Sequence, residues 1–389
     1  MNNQTHHSLS HQTTPKRSVV IIGAGLSGLY SAYLLKKHGI KATVLEARER
    51  IGGRIHSIRP QLGEANNHED SGYFDMGPAW FWPEMNPLFK GLVKELGLVA
   101  FEQYSDGNYL IDESRDKGPR VYPAAYMNQS SSHRLEGGMM SIVNGLLEAL
   151  PPDSVILNTQ VTAITKTDSN GYLLKATQDG QQINIEVDYV ITAMPLRLLI
   201  QSIQFEPALP STMQKKMQSL PTWMAAHAKI IAIYPTPFWR AQGHSGSAMS
   251  YLGPIAETHD ASTNLKEGQL GHGALFGFMG VNAPGRKTAG EDTLKAMSIR
   301  QLTRIFGPLA AEPLSVELLD WTREPFTATY DDGANLTHSV YGLVPANGGA
   351  EHPHLLFAGS EAATRNGGYL EGALEAAETA IARWQRLQG

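Results

Sequence analysis

The apolar run Ser18-Val19-Val20-Ile21-Ile22 passes directly into Gly23-Ala24-Gly25-Leu26-Ser27-Gly28, after which Leu29, Tyr30, Ala32, Tyr33, Leu34 and Leu35 recur at helical spacing. A buried strand, a tight turn and a helix are predicted in immediate succession. The three glycines then do different things: Gly23 makes the turn, Gly25 lets the backbone approach a diphosphate, and Gly28 packs helix on strand. The diphosphate would sit on free N–H groups at the helix start, where Leu26 and Ser27 stand, at the positive end of the helix dipole. His38-Gly39 ends the helix, and Lys41 to Leu45 reads as a second parallel strand closing on Glu46. Glu46 follows Gly28 by eighteen positions, where a carboxylate accepts hydrogen bonds from both ribose hydroxyls and repels a 2′-phosphate. A dinucleotide other than NADP is the expected ligand.

The 389-residue chain is long enough for two joined domains around a large cofactor. Helices are expected at Met139 to Leu150, Thr293 to Phe306 and Leu370 to Leu387. Strands are expected at Val155 to Thr165, Tyr189 to Ala193, His227 to Tyr234, Ala274 to Met279, Ser315 to Trp321 and Leu355 to Gly359, with a hairpin from Tyr172 to Val187. These suit an α/β cofactor domain (residues 16–80, 140–210 and 335–389) and a substrate domain on a mixed sheet (81–139 and 211–334), with 1–15 a disordered tail. Basic and acidic residues number 32 and 37, giving a formal charge of −5 with no basic block, so a nucleic-acid surface is not expected. The absence of cysteine removes disulfides, thiolate metal sites and any thioether link to a cofactor. His6, His7 and His11 are read as tail residues and no metal site is expected. No window approaches the ~18 apolar residues of a membrane span, so a soluble, cytoplasmic protein without a membrane partner is expected.

Beyond Glu46 come Ala47-Arg48-Glu49-Arg50-Ile51-Gly52-Gly53-Arg54. The stretch Val19 to Arg54 resembles the opening of the flavin-containing amine oxidase family, which includes monoamine and polyamine oxidases. The resemblance implies FAD, in a Rossmann-type domain of the glutathione-reductase-like architecture, with a second, substrate domain. It places Glu46 and Ala47 at the ribose, Arg48 and Arg54 along the diphosphate and ribityl chain, and Gly53 in close backbone approach. Phe357-Ala358-Gly359-Ser360-Glu361 followed by Gly367-Gly368-Tyr369-Leu370-Glu371-Gly372-Ala373 resembles the closing motif of the family. There Ser360 and Glu361 would approach the ribityl chain, and after Gly368 the N–H groups of Tyr369 and Leu370 would face flavin N1 and O2. Val161 matches a position whose backbone contacts the adenine.

The same resemblance assigns the chemistry. Ala226 to Tyr234, leading into Pro237-Phe238-Trp239-Arg240, matches the strand that brings a lysine to the flavin, here Lys229, sharing a face with Ile231 and Ile233. A buried ammonium is expensive, so its pKa should fall. In the family this lysine holds a water against N5 and assists reaction with oxygen. Tyr369 matches one wall of an aromatic cage that guides the amine. The place of the other wall holds Asp331, after Tyr330, and Asp331 or Asp332 is a candidate ion-pair partner for a cationic amine. Asp75 to Trp82 matches a crossover loop in which amino-acid oxidases carry an arginine; Ala79-Trp80 stand there, which disfavours an α-amino acid. Trp80 and Trp82 are read either as pocket lining or as core.

The expected activity is FAD-dependent oxidation of a small-molecule or peptide amine: hydride passes from the carbon beside nitrogen to N5, the imine hydrolyses, and O2 yields peroxide. The rivals are a flavin desaturase or oxidase acting on carbon–carbon bonds, as in the carotenoid and protoporphyrinogen branches, and a non-catalytic FAD-bound scaffold. FAD should be held non-covalently. Between Leu98 and Gly137-Gly138 only about forty residues, rich in turn formers, stand where the family has substrate-domain helices. The flavin face should therefore be open, filled by a bulky amine or covered by a second subunit in a homo-oligomer.

Overall fold

The computed structural model describes residues 17–62, 72–123, 131–264, 271–334 and 337–388. His6, His7 and His11 lie outside them. The opening motif folds as β1 (Val19–Ile22), α1 (Leu26–Lys37) and β2 (Thr43–Leu45), with β1 and β2 parallel. All four residues of β1 are buried, as a strand covered on both faces must be. Gly39, in left-handed conformation at φ 73°, turns the chain after α1.

A six-stranded sheet runs in the order Asn347–Gly348, His352–Phe357, Tyr189–Thr192, β1, β2, Val155–Ile156. Every pairing is parallel except the first. One face is covered by α1 together with the helices Met140–Ala149 and Leu370–Arg386, whose apolar sides share a core with Ile21, Val44 and Leu356. The opposite face, through Val20, Leu45 and Phe357, packs on a four-stranded sheet (Gln181–Val187, Tyr172–Gln178, Thr159–Lys166, Gln204–Glu206). A seven-stranded mixed sheet makes the second layer system: Ser315–Asp320, Ala228–Tyr234, Gly273–Met279, Ile255–Asp260, His244–Ser250, Asn108–Asp112, Arg120–Tyr122. The helix Glu291–Phe306 covers one of its faces through Leu294, Leu302, Ile305 and Phe306.

One expectation is corrected. Val155 to Thr165 is two strands in different sheets, because Asn158 turns left-handed (φ 51°). Its N–H donates to Arg48 O (2.9 Å) and that of Thr159 to Glu46 O (2.8 Å), so the chain leaves the parallel sheet to cover the Glu46 turn. The polar stretch after Leu98 also contains sheet: Asn108–Asp112 pairs in parallel with His244–Ser250, and Leu110 and Asp112 are buried. Five residues between turn formers are too few for alternation to stand out.

Candidate active site

A cavity of about 940 Å³ lies between the six-stranded and seven-stranded sheets, large enough for a dinucleotide together with part of a substrate. Gly23, Gly25, Leu26, Ser27, Glu46, Ala47, Arg48, Gly53, Arg54 and Val161 all line it. Gly28 is set behind this surface: a Cβ there would stand 1.9 Å from Gly23 O, so glycine is what lets α1 sit on the turn. The first intrahelical bond of α1 is Leu29 N to Gly25 O (3.0 Å), and Gly25 provides no side-chain cap. The N–H groups of Leu26 and Ser27 are thus available to an anion. Glu46 is buried and accepts from Ala24 N (2.7 Å) and Arg48 N (3.0 Å), which fixes its carboxylate at the rim of the cavity.

The C-terminal motif completes this wall. Helix Leu370–Arg386 also begins uncapped, its first bond being Ala373 N to Tyr369 O (3.0 Å). The N–H of Tyr369 is committed to Asn366 O (3.1 Å), so of the two amides assigned to the flavin edge only that of Leu370 remains free to donate. Glu361 is likewise displaced from its expected place. Its carboxylate takes both Arg54 nitrogens (2.7 and 3.1 Å) and the Ser360 hydroxyl, and lies behind Arg54 and Ser360, which face the cavity. Arg48 reaches across to Thr327 (2.7 Å) and Glu324 (3.4 Å). Two open helix N-termini, a backbone floor without side chains at Gly25 and Gly53, and a buried carboxylate match the diphosphate, ribityl and ribose chemistry of FAD.

At the other end stands Lys229, 3% exposed, on a strand flanked on both sides by others rather than at a sheet edge. Its ammonium donates to Gly77 O (3.0 Å) and lies 4.0 Å from the centre of the Phe276 ring. Burial pushes its pKa down to about 7; Asp75 opposes this and Arg134 adds to it. Trp80, Trp82, Met224, His227, Phe278 and Trp321 line the same space. Trp80 and Trp82 are therefore cavity residues, with Trp80 also packed on Phe276 at 5.1 Å.

Tyr369 lines the cavity, and its partner ring is one the sequence does not point to. Trp223 lies 6.0 Å away at 60°, and a Cβ on Gly368 would stand 2.6 Å from Trp223 Cβ. His338 stacks on Tyr369 at 4.9 Å and meets Trp223 edge-on at 4.8 Å, while its Nε2 is 2.9 Å from Gly367 O. The signal that could have found Trp223 is its position six residues before Lys229, at the entry to the lysine strand. The acidic candidates are not at the site. Asp332 is buried on Arg197 (2.7 Å), Thr222 N and Thr329, Asp331 accepts from Gln218, and the Tyr330 side chain is 99% exposed. None of these three lines the cavity.

Comparison with known proteins agrees with this geometry. The family model described as flavin containing amine oxidoreductase matches residues 123–383, and one described as NAD(P)-binding Rossmann-like domain matches residues 21–96. A probable flavin-containing monoamine oxidase A of Dictyostelium discoideum is 26% identical over 92% of this chain and 95% of its own length. A putrescine oxidase of Kocuria rosea is 23% identical over 87% and 90%. The solved cyclohexylamine oxidase of Brevibacterium oxydans shares the fold, with a TM-score of 0.76 over 96% of this chain and all of that one, at 20% identity. This chain belongs to the flavin-containing amine oxidoreductase family and is an FAD-dependent amine oxidase rather than a carbon–carbon desaturase.

Proposed function

We propose that the chain oxidises an amine with a bulky apolar body, uses O2 as acceptor, and employs Lys229, Tyr369 and Trp223 at the reacting end of the cavity. FAD when bound supplies a two-electron acceptor for the hydride on the carbon beside nitrogen, with Glu46, Arg48, Arg54, Ser360 and the amides of Leu26, Ser27 and Leu370 as its holders. The observation that carries the reading is the pairing of a buried lysine with an aromatic wall in one cavity. Tyr369 and Trp223 attract the ammonium and exclude water. Lys229, with a pKa near 7, is poised to hold a water and to give or take a proton at Nζ in the physiological range. Among the lining residues that face the substrate end, Trp80, Trp82, Met85, Phe276 and Phe278 offer apolar surface. Among the described residues Glu46 and Glu371 are the lining carboxylates, and Glu371 is occupied by Leu88 N and Phe89 N (2.9 and 3.0 Å), so a second cationic group on the substrate meets no free acid among them.

The division into a cofactor part (16–80, 140–210, 335–389) and a substrate part (81–139, 211–334) is proposed with it. So is a cytoplasmic homo-oligomer: Val340 and Leu343, next to the His338 and Tyr341 rings, are 76% and 53% exposed and offer a second subunit apolar surface. No helix among the described residues is long and apolar enough to cross a membrane. Anaerobic mixing with a panel of amines, followed by air, tests the function. Bleaching of the flavin by apolar amines and peroxide release on aeration are expected. A flavin that no amine reduces would overturn it, and small aliphatic amines outperforming large ones would overturn the substrate class.

A further inference from the structure

Asp75 ends the two-residue strand Phe74–Asp75, which pairs with Ser57–Ile58. One carboxylate oxygen, Oδ1, accepts from the Ser57 hydroxyl and from Met139 N. The other, Oδ2, is fully buried and has no hydrogen-bond partner among the described residues. A buried carboxylate oxygen without a donor is a costly arrangement that calls for a compensating charge nearby. Two residues on, Gly77 O accepts the Lys229 ammonium, so the segment Asp75-Met76-Gly77 runs past Lys229. Arg134, 5% exposed, donates its guanidinium to the neutral carbonyls of Ser262 (2.8 Å) and Ala261 (3.2 Å) and to no carboxylate within 4 Å among the described residues. Burial lowers the pKa of Arg134, and the charges of Asp75 and Asp260 work against that. Asp260 in turn takes two bonds from Arg240 (2.8 and 2.9 Å).

We propose that Asp75 holds the charge state of Lys229 against the effect of burial, within a cluster of five charged groups, Lys229, Asp75, Arg134, Asp260 and Arg240, of which all but Arg240 are buried. Three cations face two carboxylates in this cluster, so it is neutral only when Lys229 has lost its proton. The Phe276 ring, 4.0 Å from Nζ, favours the ammonium through its face, and the remaining neighbours carry no charge toward it. Phe278 and Leu319 are its partners on the adjacent strands, and His259, one strand further, is turned to Glu257 (2.7 Å) and Ser247 (3.4 Å). Burial is the main cause that lowers the proton affinity of Nζ; Asp75 works against it by stabilising the ammonium, and Arg134 adds to it. Asp75 acts only through Lys229.

The inference rests on the placement of Lys229 at the flavin, and the experiment separates the two. In the FAD-loaded enzyme carrying lysine labelled with carbon-13 at Cε, the Lys229 signal is assigned by its loss in Lys229→Met and followed against pH. Asp75→Asn keeps an acceptor for Ser57 and Met139 and should move the midpoint down by about one unit or more. Arg134→Gln should move it up. The pH profile of flavin re-oxidation should follow both. An unmoved midpoint in folded Asp75→Asn, or shifts of the same sign in the two variants, overturns the proposal. If Asp75→Asn fails to fold, an unmoved midpoint in Arg134→Gln does so alone. Midpoints that move in opposite directions while the re-oxidation profile stays still uphold Asp75 and refute the oxygen role of Lys229.

Discussion

Arg54 and Glu361, 307 positions apart in sequence, meet through two hydrogen bonds of 2.7 and 3.1 Å at the edge of the cofactor cavity. The carboxylate is buried and the guanidinium only partly so. Replacing Arg54 by Met strands a buried charge, which should lower stability by roughly 3 kcal/mol and release FAD on desalting. The double variant Arg54→Met with Glu361→Leu should recover the melting temperature without recovering FAD retention. Recovery of both would show that Arg54 serves the fold alone.

The pKa of Lys229 has a consequence for stability with a definite sign. In the unfolded chain the group titrates near 10.5, and in the folded chain near 7. Between those values the unfolded chain binds a proton that the folded chain has released, so stability contributed at this position rises with pH across that window. Below about 7 both states are protonated and the penalty is complete. Lys229→Met should therefore stabilise the FAD-saturated enzyme by a few kcal/mol, on the order implied by such a shift, at pH 6, and by little at pH 10. Urea unfolding at the two pH values measures it. The same variant should slow flavin re-oxidation more than reduction in stopped-flow traces.

How much of the site is legible in the sequence depends on the length of the pattern that carries it. The glycine fingerprint, Glu46 and the lysine strand are contiguous signals, and the structure puts them in one cavity. Trp223 escapes such a reading because a ring becomes a wall only when the Gly367-Gly368 turn, 145 residues later, comes to rest against it. Asp331 and Asp332 are misplaced for the opposite reason: matching the place of the second wall by position assumes constant spacing, whereas Asp332 is taken up by Arg197 and the Thr329 turn. Glu361 reads as a ligand contact because sequence does not show that Arg54 intervenes.

Trp223→Ala should raise KM for an apolar amine by roughly three- to thirtyfold with a smaller change in flavin reduction at saturation, as loss of one ring face for a cation implies. Tyr330→Ala, at a fully exposed position, should leave both unchanged. Steady-state kinetics on the two variants decide whether Trp223 has taken over the second wall.

Asp332→Ala removes the partner of the buried Arg197 and the acceptor of Thr222 N. A loss of about 3–5 kcal/mol is expected in chemical denaturation, with KM for the surviving folded enzyme near that of the parent. A KM effect that depends on the charge of the substrate would return Asp332 to the site.

Flavin bleaching aside, the attachment of FAD is decided by precipitation. With no cysteine in the chain to form a thioether link, acid should leave all the yellow colour in the supernatant.

The first and last segments of the chain share one wall. The Ser27 hydroxyl donates to Ala358 O, and α1 packs on the helix Leu370–Arg386 through the core that holds Leu29 and Leu374. The fingerprint therefore depends on residues more than 300 positions further along for half of its pocket. A chain halted before residue 350 would carry the glycine turn and yet lack the strand His352–Phe357 and the second helix terminus, so the cofactor pocket needs both segments.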